Sequence, residues 1–559
     1  MCSFLIYPRL NLNIFISATS ISASCLFLTA TVSNPYIIAG LTTVLYTFPL
    51  ILADTLLSHN TPDTFLHPLQ PACTRLFTSF PHSPSHWSID PKYLNSSTFL
   101  TSAPSNLTSR LSTFQVFLHL LSALTTDHNV ISKHHCPQRF LSLNTGTNTL
   151  SHHTNEASLY IHWPYCLKRC TYCNFNKYIP RGDNSALVTK SLLRETETLL
   201  KLSQVSRISS VFFGGGTPSL AHPSTVSAVL EMVSKITALS DKAEVTLEIN
   251  PTPAAKDALK DFKRAGVNRF SVGVQSLSED HLRTLGRDHS PQDALRVLAE
   301  ARSLCPGRVS LDAMFALPGQ SVSSWEMELS ELLRVCDQHV SLYQLTLERG
   351  TQLFKKVQSG ELSVPSDDVT ALMYQSARRA LEEAGFQQYE VSNFAKNSAV
   401  SEHNIGYWKG RQYIGVGPGA HGRFVPCAEG GFQREARTQT LEPDVWIREV
   451  QSHGHATRRR IKLDHLDLLE EVLVMGLRMS GGISHQHWEF FSPQNDLHQI
   501  FGSSADIQEL QAAGFLILDD EGLRCSWEGL ALLDSLLPTM LLELERFLHH
   551  RGFRKTQSK

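Results

Sequence analysis

Three cysteines lie within eight residues of the chain, at Cys166, Cys170 and Cys173. This C-x3-C-x2-C spacing lets one short loop place three thiolates around a cuboidal iron–sulfur cluster. Protein-bound clusters of this type normally take four cysteines, so three would leave one iron open to a small molecule. The alternatives are a structural thiol group or a zinc site, for which His162 or a distant cysteine could be the fourth ligand. The spacing favours a cluster that does chemistry.

A second set of chemically useful residues follows the cysteines along the chain. The glycine-rich run 213–217 closes an apolar stretch, and its exposed N–H groups could cradle the amino-acid end of a cofactor. Polar groups that arrive from successive strand ends are what a ribose, an ammonium and a carboxylate require. Any one of these polar residues, taken alone, could be an ordinary capping or salt-bridging residue. The polar candidates are Glu248, Gln275, Arg287 and Asp312.

Alternating strands and helices must position these groups. Six apolar runs predict strands, and helical periodicity fills most of the gaps between them. This rhythm predicts βαβ units and therefore an α/β fold, a partial (β/α)6 barrel rather than a closed eight-stranded one. Reactive groups gather at the carboxyl ends of the strands in such barrels. The predicted strands are 159–163, 209–213, 244–250, 269–274, 309–317 and 340–347.

The last part of the chain predicts a mostly helical, winged-helix-like domain. Helices near 466–479 and 505–513 precede an apolar hairpin that turns at 519–522. The helices lack a basic stripe and the net charge is −2, so we expect a packing domain or lid and no nucleic-acid partner. The predicted divisions are a leader (1–157), a core (158–350), a barrel extension (351–460), this domain (461–545) and a tail (546–559).

Residues 1–150 differ in composition from the rest. They hold only ten Asp, Glu, Lys and Arg side chains, and none between Arg9 and Asp54. Within that gap, the run 36–53 is near the lower limit for a membrane span, although two prolines weaken this interpretation. A Ser/Thr-rich, acid-poor leader also suits a transit peptide, but Arg9 is its only early arginine. Eleven irregularly spaced cysteines indicate a reducing compartment rather than a secreted disulfide framework.

Taken together, residues 158 to about 540 resemble the radical S-adenosylmethionine (radical SAM) enzymes, specifically the coproporphyrinogen III dehydrogenase family. The resemblance implies that the three cysteines hold a 4Fe–4S cluster whose open iron chelates S-adenosylmethionine. In such enzymes an electron from the cluster releases a 5′-deoxyadenosyl radical. The resemblance also implies cofactor contacts at Tyr160, Tyr172, Gly215, Gly216, Thr217, Glu248, Gln275, Arg287 and Asp312.

Two features indicate a branch of that family. Its porphyrinogen-oxidising members carry a fourth cysteine two residues after the third, where this chain has Phe175. The run 403–408 resembles the H-N-x-x-Y-W motif of the haem-chaperone (HemW) branch. That branch implies a protein that binds haem and passes it to apo-haemoproteins. The runs 173–181 and 341–350 resemble a vertebrate member that is mitochondrial, which implies the same location here. Membrane association could then arise through these acceptors or through the leader.

The ligand of the haem iron stays open at this stage. Imidazole and phenolate are both known haem ligands, which makes His403, Tyr407 and His421 candidates. His403 could instead be a hydrogen-bonded residue that orders the segment 390–394. Two other functions also stay open: an oxygen-independent coproporphyrinogen III dehydrogenase, and a non-catalytic interaction protein that keeps the fold. Whether the chain is an enzyme is therefore left undecided.

Overall fold

The computed structural model describes residues 155–180 and 182–551. Residues 1–154 of the predicted leader, which include its candidate membrane span, therefore lie outside the described residues. Within the described ranges, no helix combines the length and the apolar character that a membrane crossing requires.

Six parallel strands form the centre of one large sheet, which confirms the predicted barrel strands. They are joined in the order β1-β2-β3-β4-β5-β6, each parallel to its neighbour. Their inward and helix-facing positions are rich in Val, Ile, Leu and Phe, which suits strands covered on both faces. The strands are β1 (Glu156–Trp163), β2 (Arg207–Gly215), β3 (Ala238–Ile249), β4 (Arg269–Gln275), β5 (Val309–Phe315) and β6 (His339–Gln344).

Helices connect these strands and cover the outside of the sheet, as the α/β prediction requires. Proline at the first turn begins several of them, and Ser290 and Ser321 form capping boxes at the starts of α5 and α6. Their buried faces pack into the main hydrophobic core. The helices are α1 (Ser185–Ser203), α2 (Pro223–Ile236), α3 (Pro253–Arg264), α4 (Glu279–Leu285), α5 (Pro291–Leu304) and α6 (Val322–Val335).

The following segment extends the sheet at both edges. β7 (Gln387–Glu390) and β8 (Asn393–Ala395) add antiparallel strands next to β6. On the other edge, β9 (Gln412–Val416) pairs parallel with β1 and is followed by three antiparallel strands. The further elements are α7 (Gln352–Gln358), α8 (Asp367–Glu383), α9 (Glu402–Trp408), β10 (His421–Phe424), β11 (Glu435–Gln439), α10 (Pro443–His453) and β12 (Thr457–Lys462).

A small helical unit with its own three-stranded sheet ends the described chain, as the winged-helix pattern predicts. The hairpin of β14 and β15 turns at residues 519–522, and β13 pairs with β15. Arg378 on α8 stacks over the Trp527 ring at 3.6 Å and ties this unit to the barrel. The elements are α11 (His465–Gly476), β13 (Ile483–Ser484), α12 (His485–Phe491), α13 (Leu497–Phe501), α14 (Ala505–Ala512), β14 (Leu516–Asp519), β15 (Gly522–Cys525), α15 (Trp527–Leu530) and α16 (Leu533–His550).

Candidate metal and cofactor site

The cysteine loop begins where β1 ends, at the carboxyl end of the parallel strands. Its two ends are joined, because the Cys166 N–H donates to the Tyr178 carbonyl at 3.0 Å and the Tyr178 N–H donates to the Pro164 carbonyl at 2.8 Å. Asn176 then fastens the loop to the sheet extension, since its Nδ2 donates to the carbonyls of Pro418 and Leu441 at 2.9 Å. The loop is therefore held in one place by hydrogen bonds from its backbone and from the Asn176 side chain, none of which involves the thiols.

The middle of the loop is fixed to the opposite side of the barrel through Thr171. Its N–H donates to the Leu285 carbonyl at 3.0 Å and its hydroxyl donates to the Thr284 carbonyl at 2.7 Å, at the end of α4. The Thr171 carbonyl in turn accepts from the Leu353 N–H at 2.9 Å. With both sides anchored, the three thiols face a preformed surface.

Hydrogen-bond donors that follow β2 and α4 reach the cysteine sulfurs. The Thr217 hydroxyl lies 3.3 Å from Cys166 Sγ, and an Arg287 guanidinium nitrogen lies 3.7 Å from Cys170 Sγ. Burial raises the pKa of the Cys166 thiol, whereas the Thr217 donor lowers it. All three cysteines are free of disulfides. Such donors stabilise sulfur that carries negative charge, as hydrogen bonds to cluster sulfurs do, so this donor set fits a cluster.

Across residues 155–180 and 182–551, no three His, Cys, Asp or Glu side chains are grouped closely enough to hold one metal ion. His162, the possible fourth zinc ligand, has Nδ1 3.1 Å from the Tyr160 hydroxyl and Nε2 2.8 Å from the Asn176 carbonyl.

The glycine run after β2 makes close contacts with the protein itself. Gly215 has φ +105°, and a Cβ there would lie 2.5 Å from the His162 ring. A Cβ on Gly216 would lie 2.7 Å from the Tyr165 carbonyl oxygen, because the Gly216 N–H donates to the Trp163 carbonyl. The absence of side chains therefore lets β2 pack against the start of the cysteine loop, in addition to any approach to a ligand.

Two partly buried carboxyl groups, Glu248 and Asp312, line the inside of the barrel. Burial and the nearby Asp312 raise the pKa of Glu248 to about 8, and a hydrogen bond from the Gly215 N–H at 3.2 Å opposes this. Burial raises the pKa of Asp312 to about 6, against a hydrogen bond from Ser271 at 2.8 Å. Both groups line a cavity of about 230 Å³. Such carboxyl groups are well suited to accept hydrogen bonds from hydroxyl or ammonium groups of a ligand.

Arg287 connects most of the remaining predicted contacts. It donates to the Asn250 side chain at 2.5 Å and to the Gly273 carbonyl at 3.1 Å, in addition to its contact with Cys170. Burial raises the pKa of Tyr172 to about 12, while Arg287 lowers it through charge and a hydrogen bond. Gln275 ends β4 with φ 65°, a left-handed conformation that is strained for this residue type. Asn250 is a site residue that sequence reasoning did not single out, although it directly follows Glu248-Ile249.

The H-N-x-x-Y-W motif packs into the barrel from the amino-terminal side of the parallel strands, where His403 and Tyr407 line the same cavity as Glu248 and Asp312. It forms α9, and His403 is only 1% exposed. Its Nδ1 lies 2.9 Å from the Ser210 hydroxyl and its Nε2 lies 2.9 Å from the Tyr407 hydroxyl. Burial lowers the pKa of His403 to about 3, so the ring is neutral. Both ring nitrogens of His403 are thus already hydrogen-bonded. Their partners are Ser210 and Tyr407, and not residues of the segment 390–394 that a structural His403 was expected to order.

A buried ion pair holds α9 at that end. Glu244 accepts hydrogen bonds from the N–H groups of Glu402 and His403, each at 3.2 Å, and pairs with Arg269 at 3.4 Å. Arg269 also donates to the Ala399 and Val400 carbonyls at 3.1 Å. Sequence reasoning missed this pair, although charged residues in otherwise apolar strands are a visible signal for it.

His421 has a different environment from His403. It begins β10 and is exposed, with Nδ1 3.4 Å from the Thr438 hydroxyl. The turn before it contacts the cysteine loop, because a Cβ on Gly419 would lie 2.5 Å from Asn176 Nδ2. His421 and the cysteine loop therefore share one end of the barrel.

Comparison with known families assigns the class of protein. The Radical SAM superfamily matches residues 160–332, and the HemN C-terminal domain matches residues 463–532. Among solved structures, coproporphyrinogen III oxidase (HemN) from Escherichia coli is similar in fold. Its TM-score is 0.60 at 19% identity, over 71% of this chain and 92% of that one. These matches confirm the radical SAM fold and imply a 4Fe–4S cluster and S-adenosylmethionine.

More similar relatives identify the family. Radical S-adenosyl methionine domain-containing protein 1, mitochondrial, from Danio rerio is 70% identical over 77% of this chain and 98% of that relative. The Bos taurus protein of the same name is 59% identical over 71% and 90%. Heme chaperone HemW from Bacillus subtilis is 34% identical over 59% and 86%. The chain belongs to the radical SAM superfamily and, within it, to the family of these proteins. The names of the animal relatives confirm the mitochondrial location.

Proposed function

We propose that the chain binds haem and transfers it to apo-haemoproteins, on a radical SAM scaffold. The observation that carries this proposal is the similarity to heme chaperone HemW, 34% identical over 86% of the Bacillus subtilis relative. Phe175 supports it, because the porphyrinogen-oxidising members resembled here would have a cysteine at that position. Phe175 is 68% exposed and offers no metal ligand.

On this proposal, Cys166, Cys170 and Cys173 hold the 4Fe–4S cluster. When bound, such a cluster supplies an electron to the sulfonium of S-adenosylmethionine. Thr217 and Arg287 donate hydrogen bonds to Cys166 and Cys170 and so stabilise the ligating thiolates. The remaining contacts, Tyr160, Tyr172, Gly215, Gly216, Glu248, Gln275 and Asp312, bind and orient the nucleotide at the carboxyl end of the barrel.

The geometry also bears on the haem ligand. His403 would have to break a hydrogen bond to Ser210 or Tyr407 and leave a site where it is 1% exposed. Tyr407 is partly buried, its ring packs edge-on against the Tyr413 ring with centroids 4.5 Å apart, and its hydroxyl is already bonded to His403. His421 is exposed at the end of the barrel that carries the cysteine loop. We therefore propose His421 as the ligand in this conformation, and a structural role for His403.

A haem titration tests the function directly. Protein reconstituted anaerobically with iron and sulfide should bind one haem per chain, read from the Soret band, and should pass it to an apo-acceptor such as apomyoglobin. His421→Ala should shift the Soret band and weaken binding at least tenfold, with unchanged iron content. Absence of stoichiometric haem binding in the wild type would remove the proposal. A shift caused by His403→Phe and not by His421→Ala would reverse the ligand assignment.

The second candidate is an oxygen-independent coproporphyrinogen III dehydrogenase. The similarity of fold to HemN favours it, as do the partly buried Glu248 and Asp312 that line the cavity. Anaerobic incubation of reconstituted protein with reductant, S-adenosylmethionine and coproporphyrinogen III would then give protoporphyrinogen. We expect no product. Failure to incorporate iron at all would instead favour the non-catalytic interaction protein.

A further inference from the structure

Three large apolar side chains project into solvent from the cysteine loop. Leu167 is 62% exposed, Phe175 is 68% exposed and Ile179 is 46% exposed. They are three of the eleven exposed large apolar side chains in the described part of the chain, yet they lie within thirteen residues. An apolar cluster of this kind on a folded surface is a common mark of a binding site.

The backbone of the loop brings the segments that carry Leu167 and Ile179 side by side. Tyr165 pairs with Tyr178 in a parallel bridge, so the residues that follow this pair leave it side by side. The Cys166 N–H continues the pairing to the Tyr178 carbonyl, so the backbone that leads into Leu167 runs beside the backbone that leads into Ile179. Phe175 precedes Asn176, whose two hydrogen bonds to the sheet extension fix that part of the loop. The exposed side chains are thus carried by an anchored loop.

Basic residues border this apolar surface. Lys168 and Arg169 follow Leu167 directly, and both are exposed. Within the described residues, neither is in an ion pair with a carboxylate. The acidic residue beside Tyr178, Glu442, already pairs with Arg458 at 3.6 Å. We name Leu167, Phe175 and Ile179 with Lys168 and Arg169 the loop face.

We propose that the loop face is the haem seat. This inference rests on the proposed function and names where the cargo binds. Haem is a flat apolar ring that carries two carboxylates on one edge. Its ring would cover the Phe175 side chain, for which aromatic contact is favourable, and its carboxylates would pair with Lys168 and Arg169. His421 lies at the same end of the barrel, because the turn before it contacts Asn176.

Haem fits the loop face better than a protein partner does. A stable protein interface buries about 800 Å² on each side and involves roughly 20–30 residues. The exposed apolar part of the loop face consists of three side chains, which matches the size of a small planar ligand. Haem binding at the loop face would also explain why this chain has the aromatic Phe175 where the porphyrinogen-oxidising family members carry a cysteine. Binding of an acidic electron-carrier protein to the loop face, in place of haem, is therefore the alternative result that the test must distinguish.

Haem titration of matched variants tests the seat. Phe175→Ala should weaken haem binding at least tenfold, and Phe175→Trp should keep it. The double variant Lys168→Glu/Arg169→Glu should weaken binding of haem, but should leave binding of haem dimethyl ester unchanged, because the ester lacks the carboxylates. Phe432→Ala removes an aromatic that is 82% exposed elsewhere and serves as the apolar control. Lys235→Glu on α2 serves as the charge control.

Iron content and circular dichroism verify that each variant is folded and loaded. Wild-type binding with no effect of either loop-face variant would overturn the seat and leave the proposed function standing. No binding by the wild type would overturn the proposed function itself. Unchanged haem affinity together with lost reduction by an acidic electron carrier would assign the loop face to a protein partner and refute the inference.

Discussion

Removal of the Glu244 carboxylate is the sharpest test of the role of α9. Glu244 accepts hydrogen bonds from Ser401 Oγ at 3.3 Å and from two N–H groups at the start of α9, and it is the buried counter-charge of Arg269. Both side chains of the pair are less than 5% exposed. Glu244→Ala therefore leaves a buried guanidinium without a charge partner and three donors without an acceptor.

The expected loss is large because the pair is buried. Breaking a buried ion pair by removing one partner costs about 3–5 kcal/mol. Glu244→Gln keeps one acceptor oxygen for the backbone of α9, so we expect a smaller loss of about 2 kcal/mol. Asp261→Ala is the matched control, because Asp261 forms an ion pair with Arg264 on the surface. The two side chains are 56% and 78% exposed, so this pair should contribute less than about 1 kcal/mol.

Denaturant unfolding of reconstituted protein, followed by tryptophan fluorescence, measures these losses. The cysteine loop is at the other end of the strands, so iron content should be unchanged in Glu244→Gln. A free energy of unfolding for Glu244→Ala within about 1 kcal/mol of the Asp261→Ala value would refute the structural role given to this pair. It would also weaken the argument that His403 is a fixed residue rather than a ligand.

Three further predictions follow from the same structure. Replacement of Cys166 by Ser should abolish the visible absorption of the cluster in anaerobic protein, because a hydroxyl does not replace a coordinating thiolate; a retained iron–sulfur spectrum would contradict the ligand assignment. Glu195 is buried, and burial raises its pKa to about 7 despite donors from Gly417, Trp446 and Ala456. The contribution of Glu195 to the free energy of unfolding should therefore be full below about pH 4.5 and decline by up to about 3 kcal/mol as the pH rises through 7. Glu195→Gln should flatten this dependence on pH. Identical pH profiles for the wild type and the variant would contradict this role of Glu195. Trp527→Ala removes the ring under the buried Arg378 guanidinium, so the protein should lose about 1–2 kcal/mol of stability. Limited proteolysis should then release the C-terminal helical unit faster. An unchanged cleavage rate would show that this contact does not hold the unit to the barrel.

Much of the barrel could be predicted because its signals are local. The period of apolar residues separates strands from helices, and six such strands occur as the sequence indicates. The strand ends that carry Glu248 and Gln275 were also readable, because parallel strands bring their carboxyl ends to one edge. The cofactor contacts named from the resemblance remain predictions, although the structure brings several of them together.

The sequence by itself determined the thiol spacing, the strand–helix alternation and the place of Phe175 in the cysteine loop, because these depend on neighbouring residues. Only the tertiary structure decided which end of the barrel receives the H-N-x-x-Y-W helix. That choice depends on the bonds from Glu244 to α9, about 160 residues away, and no local pattern encodes it. The contact of Arg287 with Cys170, 117 residues apart, was decided in the same way, since side chains meet across a barrel only once the strands between them have paired.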